Sequence, residues 1–323
     1  AFAVTMAVGI YCLVYASERF NLTTGEQVLK YYLGNGLGTV INYFYIFYLY
    51  MCVIVMYTGA ASSLNEQYGA PMWVGAAIMA ASCLITSLYG LKSIVNVISK
   101  IGPALILIAL GISLIAVFKG TTGGSLSEGA KLVASGQIEH LKASNSPLIA
   151  GIILATSTIL WYPNFAVELK QENSMKDLMI GQTIGNTLVG VAEFIMGLAM
   201  IANITKVAGM DVPFLYVASQ TFKGFGPIYA VMIFAALYTT TCPLLWSSVT
   251  PFAKDGTTKY KVLIVIGTVV GFIVSILVPY DVIMNYVWVI SGWVGLGVTI
   301  IMLARVIYNR FKYGKNYNLP SAE

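Results

Sequence analysis

Charge is scarce in this chain. Asp, Glu, Lys and Arg make up 10% of its 323 residues, where an ordinary soluble domain carries about 25%. The net charge of +5 is spread thinly over loops. It forms no basic stripe of the kind that binds nucleic acid. Cysteine is also rare. Cys12, Cys52, Cys83 and Cys242 each lie inside an apolar segment, which excludes a disulfide framework and a zinc-ligand spacing. They read as small buried hydrophobes. The single histidine, His140, stands in a polar stretch with no metal-ligating motif beside it. No serine elbow, P-loop or metalloprotease pattern is present, so nothing argues for an enzyme, and no catalytic residue or bound metal is expected. Ten-residue segments of alternating polarity are missing too, which excludes a membrane β-barrel.

What remains is apolar: 58% of the residues are hydrophobic. Nine apolar runs, uncharged except for Glu193 in the sixth, approach or exceed the ~20 residues needed to cross a bilayer. They are 1–17, 37–64, 71–91, 101–118, 148–167, 178–203, 226–250, 262–280 and 282–304. The expectation is one all-α integral membrane domain with nine transmembrane helices. With the tail 308–323 on the cytoplasmic side, thirteen of the eighteen Lys and Arg residues face the cytoplasm. Only Lys119, Lys131, Lys142, Lys206 and Lys223 fall outside. The positive-inside rule favours that orientation, hence a multi-pass protein of the cell membrane with a cytoplasmic C-terminus.

An internal repeat organises the chain. Residues 18–50 and 205–238 each run from a polar turn through a short amphipathic stretch and a G-x-G (Gly36/Gly38, Gly224/Gly226) into a long apolar helix. The orientation above places one unit inside and the other outside, the pattern of inverted-repeat transporters. Residues 1–118 then form a first repeat, 119–147 an extracellular connection and 148–307 a second repeat. The repeat spacing puts the symmetry partner of Pro163 about 25 residues before Ala1. A first helix, interrupted by glycines, is therefore expected upstream, making ten helices in two sets of five.

Two prolines stand inside apolar runs. In "TILWYPNFAVELKQE" (158–172), Pro163 removes the N–H that would bond the Ile159 carbonyl. Unpaired backbone at membrane depth is tolerated where it faces protein or a water-filled cavity. Ile159, Trp161, Tyr162 and Asn164 would then frame a site for a zwitterion or an ion; the bland reading is a packing kink. In "LYTTTCPLLWSS" (237–248), Pro243 frees the Thr239 carbonyl beside the hydroxyls of Thr239, Thr240 and Thr241. A hard-oxygen cation site is one reading. Hydroxyls bonded back to their own helix are the other.

Intramembrane charge is the remaining signal. Glu193 sits in "GVAEFIMGLAM", either to carry a proton or to bond a neighbouring helix as a neutral acid. Lys100 opens "KIGPALILIALGI", where snorkelling to the interface is the simpler account. The tyrosine-rich segment 42–57 offers phenols to a cavity or to packing.

The stretch "VIVMYTGAASSLNEQYGAP" (53–71) resembles the third-helix signature of the YkvI-type amino-acid permeases. That family belongs to the amino acid–polyamine–organocation superfamily. The resemblance follows helix order along the whole chain. It implies a LeuT fold with a five-plus-five inverted repeat, its first helix missing here. It also implies a discontinuous sixth helix at 148–168 and a substrate site beside the break. Thr239 and Thr240 look like the hydroxyl pair that ligates sodium in coupled relatives. Lys100 looks like the lysine that takes that ion's place in sodium-independent ones. The function so implied is secondary transport of amino acids or related small amines by alternating access, linked to Na+ or H+. A ligand-sensing receptor subunit of the germinant-receptor type and an inactive truncated homologue are the alternatives. The expected partners are the small-molecule substrate and the lipid bilayer.

Overall fold

Without water to satisfy them, backbone N–H and C=O groups must bond within the chain, and a helix does this for an apolar run of any length. The computed structural model describes residues 1–119, 125–138, 144–222 and 224–313. Among these residues all regular structure is helical, with no strand. The first half holds α1 (Phe2–Phe20), α2 (Gly25–Leu33), α3 (Asn35–Tyr68), α4 (Met72–Leu88), α5 (Leu91–Lys119) and α6 (Leu126–Ala134). The second half holds α7 (Pro147–Ile159), α8 (Pro163–Glu172), α9 (Met175–Ala202), α10 (Ile204–Val207) and α11 (Pro213–Thr221). It ends with α12 (Gly226–Val249), α13 (Thr258–Leu277) and α14 (Tyr280–Tyr313).

Each of the nine segments expected from hydropathy falls on a helix or, at 148–167, on the pair α7 and α8. By length and apolarity, α3, α9, α12, α13 and α14 can each cross a bilayer, and the bent pair α7–α8 is long and apolar enough to make a sixth if the two helices form one broken span rather than a re-entrant loop. α4 and the apolar part of α5 are shorter. These counts refer to the described residues. Large apolar side chains such as Phe194, Ile266 and Ile300 lie on the outer faces of these helices, as lipid-facing residues do.

The chain divides into two compact units. One comprises 1–49, 142–187 and 285–323, the other 50–141 and 188–284. Each draws on both halves of the sequence, so the units do not follow the linear division at 119–147. In the first unit, Met6, Ile10 and Leu13 of α1 share a buried core with Val28 and Leu29 of α2, Ile159 of α7, Val167 of α8 and Met302 of α14. α7 and α14 meet backbone to backbone. A Cβ on Gly295 would stand 2.2 Å from the Thr156 carbonyl oxygen, and the Thr156 hydroxyl donates to the Gly292 carbonyl at 2.7 Å. The second unit gathers α4, α5, α11 and α13 around α12. The Tyr50 hydroxyl donates to the Gly267 carbonyl at 2.7 Å, and the Tyr260 hydroxyl to the Ser87 carbonyl at 2.8 Å.

The two similar sequence stretches also share a local shape. α2 and α11 each have nine residues. Each is followed by a glycine at φ 80°, Gly34 or Gly224, before a long helix. The left-handed glycine turns the chain at these joints without the steric cost a Cβ would carry. The matching glycines are Gly34 and Gly224, two residues away from the G-x-G register read from sequence.

Candidate functional site: the break between α7 and α8

Ser146 opens α7: its hydroxyl accepts the Ile149 N–H, and Pro147 occupies the first turn, where its missing N–H costs nothing. α7 stops at Ile159. α8 begins at Pro163 and runs off at 59°. Proline again stands at a first helical position, so the break falls at Leu160–Tyr162, just before it. Pro163 and Asn164 themselves are helical, so the irregular stretch is confined to residues 160–162.

The backbone at the break is better satisfied than the sequence suggests. The Ile159 carbonyl is not free: it accepts the Tyr162 N–H at 3.1 Å, and the Thr158 carbonyl accepts the Trp161 N–H at 2.9 Å. These tight i+3 bonds close the end of α7 as a 3₁₀-like turn. The expectation of an open Ile159 carbonyl is therefore corrected.

Aromatic side chains surround the turn. The Trp161 indole N–H donates to the Tyr48 hydroxyl at 2.9 Å, and that hydroxyl donates in turn to the Ser157 carbonyl at 3.1 Å. The Trp161 ring stands edge-on to Trp288 of α14, with centroids 6.0 Å apart. Tyr162 packs partly buried against the α1–α2 core. Trp161 and Tyr162 both keep some exposure, whereas Tyr45 and Tyr48 are buried.

Asn164 is not an open amide facing a cavity. It is buried, and its Oδ1 accepts the Gly25 N–H at 3.0 Å, at the first residue of α2. Its own N–H lies 3.4 Å from the Tyr45 hydroxyl. α2 begins with a reciprocal cap in which Thr24 bonds the Gln27 N–H and the Gln27 side chain bonds back. Asn164 thus completes the N-terminus of α2 and ties it to α8. A Cβ at Gly25 would come within 2.4 Å of that oxygen and 2.8 Å of the Asn164 nitrogen.

Four of these participants, Gly25, Tyr45, Tyr48 and Trp288, were not singled out by the reading of the sequence. Tyr45 and Tyr48 lie three apart, on one face of a helix. That spacing was the available signal for choosing them within the tyrosine-rich segment. Gly25 and Trp288 carry no comparable signal, because their contacts join elements more than 100 residues apart.

The remaining predicted residues lie in the second unit. Pro243 does not break its helix: α12 is continuous from Gly226 to Val249. The Thr239 and Thr240 hydroxyls both donate to the Ala236 carbonyl, at 2.8 and 3.1 Å, and the Thr241 hydroxyl to Leu237 at 2.6 Å. The expected second break is thus corrected to a helix whose threonines bond back onto it. Their lone pairs still point away from those donated protons. Glu193 lines a cleft between α5, α9 and α12. The Lys100 side chain and all of His140 lie outside the described residues. Among the described residues, no three His, Cys, Asp or Glu side chains converge as metal ligands do.

No known family model matches the chain. Over 244 residues it is 24% identical to the uncharacterized membrane protein YkvI of Bacillus subtilis (strain 168), a match covering 74% of this chain and 67% of that protein. Together with the apolar helices, this similarity identifies a multi-pass, all-helical membrane protein.

Proposed function

We propose that this chain is the membrane domain of a secondary transporter for amino acids or related small amines, with the α7–α8 break as part of its substrate site. The observation that carries this reading is the 59° break in an apolar span, walled by Trp161, Tyr162 and Tyr48. Discontinuous helices are how transporters present backbone charge to a substrate near the bilayer midplane. The C-terminal end of α7 carries partial negative charge and the N-terminal end of α8 partial positive charge. A zwitterion set across the break would direct its ammonium to the first and its carboxylate to the second. Trp161 and Tyr162 would cover its apolar part.

Coupling to Na+ or H+ belongs to the same proposal. Thr239 and Thr240 would offer their hydroxyl oxygens as ligands to sodium. Lys100 and Glu193 would be the groups that exchange a proton. The LeuT-type inverted repeat and residence in the cell membrane with a cytoplasmic C-terminus are likewise proposed.

The test is counterflow in proteoliposomes loaded in turn with each common amino acid and with simple diamines, using the full-length protein. Accumulation of at least one labelled substrate is expected, driven by an imposed sodium or pH gradient and reduced by Trp161→Ala. Equal counterflow in wild-type, Trp161→Ala and empty liposomes would refute the reading.

A further inference from the structure

A cleft of about 290 Å³ opens in the second unit between α5, α9 and α12. That is close to the lower end of small-molecule pockets. Its walls are apolar: Leu105 and Ile106 from α5, Met196 from α9, Met232 and Ile233 from α12. Among the described residues, the one charged residue lining it is Glu193. Glu193 is exposed, so its carboxylate is reachable from the cleft. No hydrogen bond or ion pair to it exists among the described residues.

Position sharpens the oddity. Glu193 lies nine residues before the end of α9 at Ala202, about 14 Å along the helix at 1.5 Å per residue. Its helical neighbours Val191 and Phe194 are exposed apolar side chains of a spanning helix. A carboxylate at that depth, among lipid-facing residues, is costly unless it is neutralised or paired with a cation. Among the described residues, no lysine or arginine lines the cleft to supply one.

We propose that this cleft binds an amphipathic primary amine, whose ammonium pairs with Glu193 and whose single alkyl or aryl chain fills the apolar walls. Charge complementarity selects the cation, and the wall composition selects its hydrophobic body. The depth of Glu193 excludes an aminophospholipid headgroup, which stays at the interface, and favours a free amine entering from the bilayer. The site lies in a different unit from the α7–α8 break and does not rest on the transport reading.

The experiment is photolabelling of the full-length protein in phosphatidylcholine nanodiscs with a diazirine-bearing octylamine, mapped by mass spectrometry. A diazirine-bearing octanol serves as the uncharged control. Labelling by the amine is expected on peptides covering 105–109, 189–196 and 229–237, with free octylamine competing and octanol not. Glu193→Gln should lower it about tenfold or more, since it removes a charge partner in a poorly hydrated place. Glu193→Asp should retain most of it. Ala109→Leu, which fills the cleft, should reduce it with the carboxylate intact. Two results would overturn the proposal: equal labelling by the octanol probe, or labelling of Glu193→Gln within about twofold of wild type. Either would make the cleft an ordinary lipid groove. If Glu193→Gln does not fold, Ala109→Leu decides, and undiminished labelling of that variant overturns the proposal.

Discussion

Pro163 and Pro243 pose the same local problem and receive opposite answers. Each interrupts an apolar run, removes one N–H and follows polar side chains. At Pro163 the chain breaks and turns by 59°; at Pro243 the helix continues through. The difference lies in what surrounds each. α12 packs against α4, α5, α11 and α13, and its threonines keep their hydroxyl bonds within the helix. Around Pro163, long-range bonds act on the break itself: Tyr48 takes the Ser157 carbonyl, and Asn164 takes the Gly25 N–H. Proline permits a break, and the tertiary bonds around it decide whether the break is kept. A break held this way is preorganised, as a binding site needs to be.

The comparison can be attacked from its strongest bond downward. Gly25→Ala should have the largest effect. Its new Cβ meets the Asn164 backbone, which cannot rotate away, and the loss should be about 3 kcal/mol. Asn164→Ala should cost about 2 kcal/mol, because it leaves the buried Gly25 N–H without its acceptor. Unfolding midpoints in detergent would rank the two, and equal midpoints for wild type and Gly25→Ala would contradict the close approach of α2 and α8. Tyr48→Phe should cost about 1 kcal/mol, leaving the Ser157 carbonyl and the Trp161 indole short of a partner. Trp161 fluorescence should shift with it, and an unchanged spectrum would count against the bond. Pro243→Ala should change stability by less than about 1 kcal/mol in either direction, since the backbone there is already helical. A loss as large as that of Asn164→Ala would erase the distinction between the two prolines.

Much of the fold was readable from sequence because apolar run length is a one-dimensional property. The nine runs fall on helices, and a glycine joint before α3 and α12 was visible, although sequence paired Gly36 with Gly224 where the backbone pairs Gly34 with Gly224. The break before Pro163 was readable too, because the rule against interior proline is local. Its wiring was not. Asn164 looked like a ligand-facing amide only while Gly25, 139 residues away, was out of view. The Ile159 carbonyl looked free because an i+4 bond was counted and the i+3 bond from Tyr162 was not. Pro243 misled for the reverse reason. Its local chemistry matches that of a break, and only the packing of neighbouring helices keeps α12 continuous.

The most direct test compares the two prolines by chemical access. In a full-length protein with its native cysteines removed, Trp161→Cys and Thr240→Cys would be treated with a charged, water-soluble thiosulfonate, with and without a mixture of amino acids. If the break lines the substrate site, the cysteine at 161 reacts and the mixture slows its reaction, while the cysteine at 240 shows no such protection. Protection at 240 with none at 161 would contradict the account and move the substrate site to α12.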